Sequence, residues 1–226
     1  MRGPFGKALE LLFTGDREVW FIAWTSLRIS LSSPIIASVP GIALGVLVAL
    51  RRFRGRRVVL AVLNALMSLP TVVVGLIVYS FISRSGPLGG LGILFTPAAI
   101  VVGQAVLGLP VVVSMTASSL SRLDPLFSEA LTTLGARPGS ILWMSVREAR
   151  GPVLSSCLAA FGRVVGEVGV AMMLGGNIRG YTRTLTTAIA LETSKGDFVL
   201  GLALGIILLA VALGVNGVLH SVVRHE

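Results

Sequence analysis

Arg163 and Glu167 stand four residues apart in an otherwise apolar stretch, residues 152–176. At that spacing they share one face of a helix. Two roles fit the pair. Arg163 draws an anion while Glu167 holds its side chain in place, or the two form an ion pair that locks helix packing. Their closeness favours the lock, because opposite charges at short range largely cancel each other's field. A second polar set follows at Asn177, Arg179, Thr182, Arg183, Thr184, Thr186 and Thr187. Guanidinium and hydroxyl donors suit an anion, and they suit ordinary polar contact with a partner protein equally well. Other chemistries lack their parts. Cys157 is the only cysteine, and His220 and His225 lie far from it, so zinc-ligand spacing is missing. Lys7 is followed by Ala8 and Lys195 by Gly196, so neither completes a phosphate-binding loop. A membrane-embedded enzyme needs a reactive cluster, and these residues do not make one.

The elements that must position these groups are membrane helices. Of 226 residues, 54% are hydrophobic and 13% are charged, against about 25% charged in soluble domains. The mean hydropathy is +0.90. Residues 58–82, 97–120 and 198–219 carry no formal charge, and each run exceeds the roughly 20 residues that cross a bilayer as a helix. Two further spans are expected at residues 29–50, with Pro34 and Pro40, and at 152–176. Prolines are tolerated in membrane helices where neighbours satisfy the freed carbonyls. Pro70 and Pro110 are expected to bend their helices in the same way. Counted from Pro152, Arg163 sits roughly 16 Å deep. A charge there costs about 2.5–3.5 kcal/mol, so it must face the bundle or a water-filled path.

The reading is an all-α membrane protein of about five spans forming one domain over residues 1–226. Residues 1–24 hold Lys7, Glu10, Asp16, Arg17 and Glu18, and are expected to form an interfacial segment with Trp20 and Trp24 at headgroup level. No cleavable signal peptide is expected.

The net charge of +9 does not point to nucleic acid, because its distribution reads as topology. Residues 51–57, RRFRGRR, form a short basic loop between the first two spans, and such loops stay in the cytoplasm. Alternation then puts the N-terminus outside, residues 121–151 inside, residues 177–197 outside and the C-terminus in the cytoplasm. The loop at 121–151 is too long for a mere connector. Asp124 or Ser128 suits the cap of a first helix holding Glu129, Ala130, Leu131 and Leu134. Gly135 ends that helix, and Pro138 suits the first turn of a second. Ile141, Leu142, Trp143 and Val146 give the second helix an apolar face. Such a helix pair docks on another protein or lies on lipid, and composition alone does not choose.

The wording of the loop resembles a known family. Glu129-Ala130-Leu131, three residues, then Gly135 looks like the "EAA" loop of permease subunits of ATP-binding cassette (ABC) importers. Arg147 and Glu148 stand where that loop usually has a Leu-Pro pair. The run from Arg163 through Gly166, Glu167 and Gly169 is similar to the Arg-x-x-Gly-Glu-Phe-Gly run of oxyanion permeases. The block at 176–198, GNIRGYTRTLTTAIALETSKGDF, looks most like the tungstate permease group, with molybdate and sulfate permeases as relatives.

The resemblance implies a type I importer permease fold working as a homodimer in the cytoplasmic membrane. It implies two separate ATPase subunits that carry ATP and Mg, and an extracytoplasmic oxyanion-binding protein that delivers the anion. It assigns ATPase coupling to Glu129, Ala130, Leu131, Gly135, Ala136, Ile141 and Trp143. Arg163, Gly166, Glu167, Gly169, Asn177, Arg183, Thr186 and Thr187 become pathway or gate candidates. No cofactor or metal is expected on this chain. The rival is a self-sufficient secondary transporter or channel. It would normally show more intramembrane acids or two related halves.

Overall fold

A computed structural model describes residues 4–13, 16–50, 53–123 and 125–224. Among these residues every regular element is helical: α1 (Pro4–Phe13), α2 (Arg17–Leu50), α3 (Arg56–Met67), α4 (Thr71–Ile82), α5 (Pro97–Leu120), α6 (Pro125–Thr133), α7 (Pro138–Glu148), α8 (Arg150–Val165), α9 (Gly169–Gly175), α10 (Leu185–Ser194) and α11 (Phe198–Arg224), with a 3-10 turn at Gly89–Leu91. Three helices, α2, α5 and α11, are long and apolar enough to cross a membrane. Two bent pairs, α3–α4 and α8–α9, bring the count to five if each pair is one crossing.

At the centre stands α5, with α2, α3, α4, α8 and α9 all packed on it. Its start is written locally. Thr96 accepts from the Ala99 N–H at 3.4 Å, and Pro97 takes the first helical position, where a missing N–H costs nothing. The α2–α5 contact is close: a Cβ at Gly41 would stand 2.8 Å from a Val112 methyl. Ser33 joins the same seam by donating to Gln104 Oε1 at 2.9 Å, and Gln104 in turn reaches the Val164 carbonyl. The large side chains left exposed on α2, α4 and α11, such as Ile35, Val39, Leu76, Ile77, Leu209 and Leu213, form the surface that an apolar solvent or a partner helix must cover.

Three expectations about the spans change. The segment 1–24 is not one unit. It divides into α1, packed on α11 with Ala8 fully buried, and the start of α2. Trp20 and Trp24 belong to that first long helix, which begins at Arg17 because Asp16 accepts from the Glu18 N–H at 2.7 Å and satisfies one of the otherwise unpaired N–H groups of the first turn. The run 58–82 is broken rather than gently bent. Pro70, with φ −61° and ψ 125°, is extended and starts α4, so α3 and α4 meet at 100°. The run 152–176 likewise breaks at residues 166–168, where α8 and α9 meet at 68°.

Side-chain contacts sort the loops into two ends. Arg56 donates from Nε to the Val48 carbonyl at 2.8 Å and from Nη2 to Ser121 Oγ at 2.7 Å. The α2–α3 connection therefore lies at the same end as the exit of α5. Arg51 and Arg52 of the basic loop lie outside the described residues. At the opposite end Glu18 binds Arg179, joining the start of α2 to the segment before α10.

Candidate functional site

The first candidate surface is α6–α7. Gly135, with φ +78°, closes α6 in a Schellman motif: the Ala136 N–H donates to Leu131 O and the Gly135 N–H to Thr132 O, each at 3.0 Å. Left-handed backbone of this kind suits glycine. Arg137 is extended and Pro138 starts α7, so the chain turns sharply between two short helices. Ala130, Leu131, Gly135, Ala136, Ile141 and Trp143 all fall on this unit. Leu131 is buried and Ile141 half-buried, holding the pair in place, while Trp143 is 68% and Leu134 82% exposed.

The apolar face expected of α7 divides in two. Val146 packs against Val46, Leu120 and Val153, whereas Leu142 and Trp143 point away from the protein. Ser128 does not cap α6, because the helix already begins at Pro125. Asp124 lies outside the described residues, as do the side chains of Ser128 and Glu129. Glu129 is placed by its backbone in α6.

The second candidate is the break between α8 and α9. Arg163 Nη1 meets Glu167 Oε2 at 3.3 Å, with side chains 30% and 5% exposed. The four-residue spacing thus forms its ion pair although α8 ends at Val165 and Gly166 is its cap. Glu167 has further partners. Its Oε1 accepts from the Val170 N–H at 3.2 Å, closing the first turn of α9. Its carbonyl accepts from Thr186 Oγ1 at 2.8 Å. Gly169 sits where a Cβ would meet Thr71 Oγ1 and a Val72 methyl at 2.9 Å, so α9 starts tightly against α4.

The threonines of residues 182–187 face inward. Thr184 caps α10 reciprocally with Thr187, each side chain bonding the other's backbone N–H, the capping-box arrangement. Thr182 donates to the Gly175 carbonyl at 2.6 Å and accepts from the Ile178 N–H at 2.9 Å. Asn177, at φ +50°, reaches the Thr187 carbonyl. In this conformation these hydroxyls are engaged within the protein. The two arginines face carboxylates, although the buried Arg183 Nε has no hydrogen-bond partner among the described residues. Arg183 lies 3.6 Å from Glu18 and 3.9 Å from Glu192. Arg179 binds Glu18 with two nitrogens, Nε at 2.7 Å. That hydrogen bonding, reinforced by the carboxylate's charge, holds the Arg179 guanidinium above its ordinary pKa range.

Sequence reasoning missed Glu18, Glu192 and Gln104 as parts of this construction. Gln104, a lone amide in an apolar run, carried a signal. Glu18 carried none, because its partner lies 161 residues away.

A bundle of broken and continuous apolar helices, with one exposed helix pair projecting from it, defines a multi-pass membrane protein. The model described as binding-protein-dependent transport system inner membrane component matches residues 41–225, and the chain belongs to that family. It is 36% identical over 217 residues to the tungstate uptake system permease protein TupB of Peptoclostridium acidaminophilum, covering 96% of this chain and 95% of that one. It is 42% identical over 200 residues to a probable anion ABC transporter permease protein of Haloferax volcanii, covering 86% of each. A molybdenum transport system permease protein of Mycobacterium tuberculosis is 32% identical over 207 residues, covering 85% of this chain and 78% of that one. The fold is that of the inward-facing MetNI methionine ABC transporter, with a TM-score of 0.75, 20% identity and 93% of this chain and 98% of that one covered. The chain is therefore a permease, the membrane component of a transport system.

Proposed function

We propose that this chain is the membrane-crossing subunit of an ATP-driven ABC importer for a tetrahedral oxyanion, tungstate first, with molybdate, sulfate or vanadate as the alternatives. The observation that carries the reading is the likeness over nearly the whole chain to a permease named for tungstate uptake. Two copies form the pathway in the cytoplasmic membrane, and an extracytoplasmic binding protein supplies the anion. Residues 51–57 and 121–151 face the cytoplasm, as the basic loop requires. The C-terminus lies on that side, and the N-terminus lies outside.

Two separate ATPase subunits, which hold ATP and Mg, dock on α6–α7. The exposed Trp143 supports this, since tryptophan is enriched among the anchoring residues of protein interfaces. Closure of the ATPases moves α6–α7, and through α8 the break at Gly166–Glu167. Arg163 and Glu167 act there as the lock on α8–α9, and Gly166 and Gly169 leave the hinge free of side chains. Asn177, Arg183, Thr186 and Thr187 hold the outer segment against that hinge. Interfacial placement of α1 fits its short amphipathic build.

The test is reconstitution with the ATPase and the binding protein in vesicles. Tungstate uptake should require ATP hydrolysis, and Glu129→Arg should leave insertion intact while uncoupling hydrolysis from uptake. Uptake that persists without ATP hydrolysis would sink the reading. A binding protein that takes sulfate and ignores tungstate in calorimetry would move the substrate to the alternative.

A further inference from the structure

Arg28 has no role in either candidate surface. It sits on an exposed face of α2, and among the described residues it makes no hydrogen bond and no ion pair. Its side chain lines a cavity of about 270 Å³ together with Thr25, Ser32, Tyr181 and Trp24, against Ala98 in the first turn of α5. The hydroxyls of Thr25, Ser32 and Tyr181 also lack a hydrogen-bond partner among the described residues. No carboxylate lines the cavity. One guanidinium-bearing and three hydroxyl-bearing residues thus line one concavity as potential donors, beside an apolar wall of Phe21, Ile29, Pro97 and Val101. The positive end of the α5 dipole adds to the same field.

The level of the cavity in the bilayer narrows the ligand. Counting back from Leu50, beside the basic loop, roughly 20 residues at 1.5 Å cover the hydrocarbon core. The far boundary then falls near Ser30, with Arg28 within a turn of it. Trp24, 58% exposed, stands at the depth where amphipathic rings gather.

We propose that this cavity binds a tetrahedral oxyanion group with Arg28 as its anchoring cation. The group is either the phosphate of an anionic lipid headgroup or a free oxyanion held at the outer boundary. The free-oxyanion arm rests on the transport reading above, and the lipid arm does not.

The experiment uses the full chain, purified in detergent, with two probes: sodium tungstate in calorimetry and phosphatidylglycerol in native mass spectrometry. Arg28→Gln is expected to weaken one of them at least tenfold, Arg28→Lys less, and Tyr181→Phe a few-fold, with thermal melting unchanged. Loss of tungstate binding identifies the free-anion site, and loss of lipid retention identifies the headgroup site. Wild-type binding of both probes by Arg28→Gln, or binding of neither by the wild type, overturns the proposal. The outcome separates from the transport reading. A complex that imports tungstate with Arg28-independent binding loses this inference alone. A complex that imports no oxyanion but keeps Arg28-dependent lipid binding loses the transport reading alone.

Discussion

Residues 125–148 and residues 177–194 are both polar interruptions in an apolar chain, and they are built in opposite ways. In the first, Leu134 and Trp143 stand bare while little of the protein touches them. In the second, Thr182, Thr184, Thr186 and Thr187 are buried and bonded to one another or to the carbonyls of neighbouring loops. The lesson is that polar composition in a membrane protein does not itself mark a surface for a partner. Hydroxyls that find acceptors inside knit elements together, and it is the apolar side chains left outside the bilayer without cover that mark a contact. Each region can be broken separately, and the readouts should not mix.

The largest effect is expected at α6–α7 and in transport alone. Trp143→Ala removes an exposed anchor and should lower ATP-coupled uptake at least tenfold, equivalent to about 1.4 kcal/mol of docking. The melting temperature of the isolated chain should hold, because truncating an exposed side chain changes stability by no more than about 0.5 kcal/mol. Gly135→Pro should do the same to uptake, since proline fixes φ near −65° where the chain needs +78°. Uptake kinetics and a melting curve on the same preparations check both halves. A Trp143→Ala variant that melts early but transports normally would reverse the contrast between the regions.

Next in size is Glu167→Ala, which should lower stability by about 2–4 kcal/mol. It leaves the half-buried Arg163 unpaired and the Val170 N–H without an acceptor. Glu167→Gln keeps an acceptor for Val170 and should cost about half as much. Chemical unfolding in detergent reads both, and equal losses would mean that the carboxylate charge carries the whole effect and the Val170 hydrogen bond adds nothing.

What was legible beforehand follows from where the information lies. The span 97–120 was read from its length without charge, and the structure shows its start also written locally, by Thr96 and Pro97. Gly135 and Pro138 gave the turn between α6 and α7 because they write it locally. The break at Pro70 lay inside a run without formal charge, and the one at Gly166 lay between Arg163 and Glu167, whose spacing was read as one continuous helix, so length joined what the backbone separates. The spacing of Arg163 and Glu167 revealed their pairing, but not the carbonyl and N–H of Glu167 that bind Thr186 and Val170. Those partners exist only once α9 and α10 are folded against the end of α8. Glu18 and the start of α2 were assigned to an interfacial segment because charges were counted there without their partners, and Arg179 lies too far along the chain for any local pattern to supply it.

Thr186→Val should cost less again, about 1–2 kcal/mol, because it strands the buried carbonyl of Glu167 while keeping the shape of the side chain. Thermal unfolding is again the measure. If the variant is as stable as the wild type, a water replaces the hydroxyl and the segment 177–194 is held more loosely than its hydrogen bonds imply.

The smallest effect separates two arginines within the segment 177–194 itself. Arg179 is 73% exposed and Arg183 13% exposed, yet both face Glu18. An exposed pair is weakened by side-chain entropy and by salt, so Arg179→Gln should shift melting slightly at low ionic strength and not at all near 1 M salt. Arg183 lies between Glu18 and Glu192, and Glu192 is itself buried. Arg183→Gln leaves that carboxylate with Lys195 alone at 3.0 Å, and its cost should persist in salt because buried charges are poorly screened. Melting curves at two salt concentrations decide the matter. Equal salt dependence for the two variants would mean that the segment 177–194 is as solvent-swept as α6–α7, and the opposition between the two regions would fail at its weakest joint.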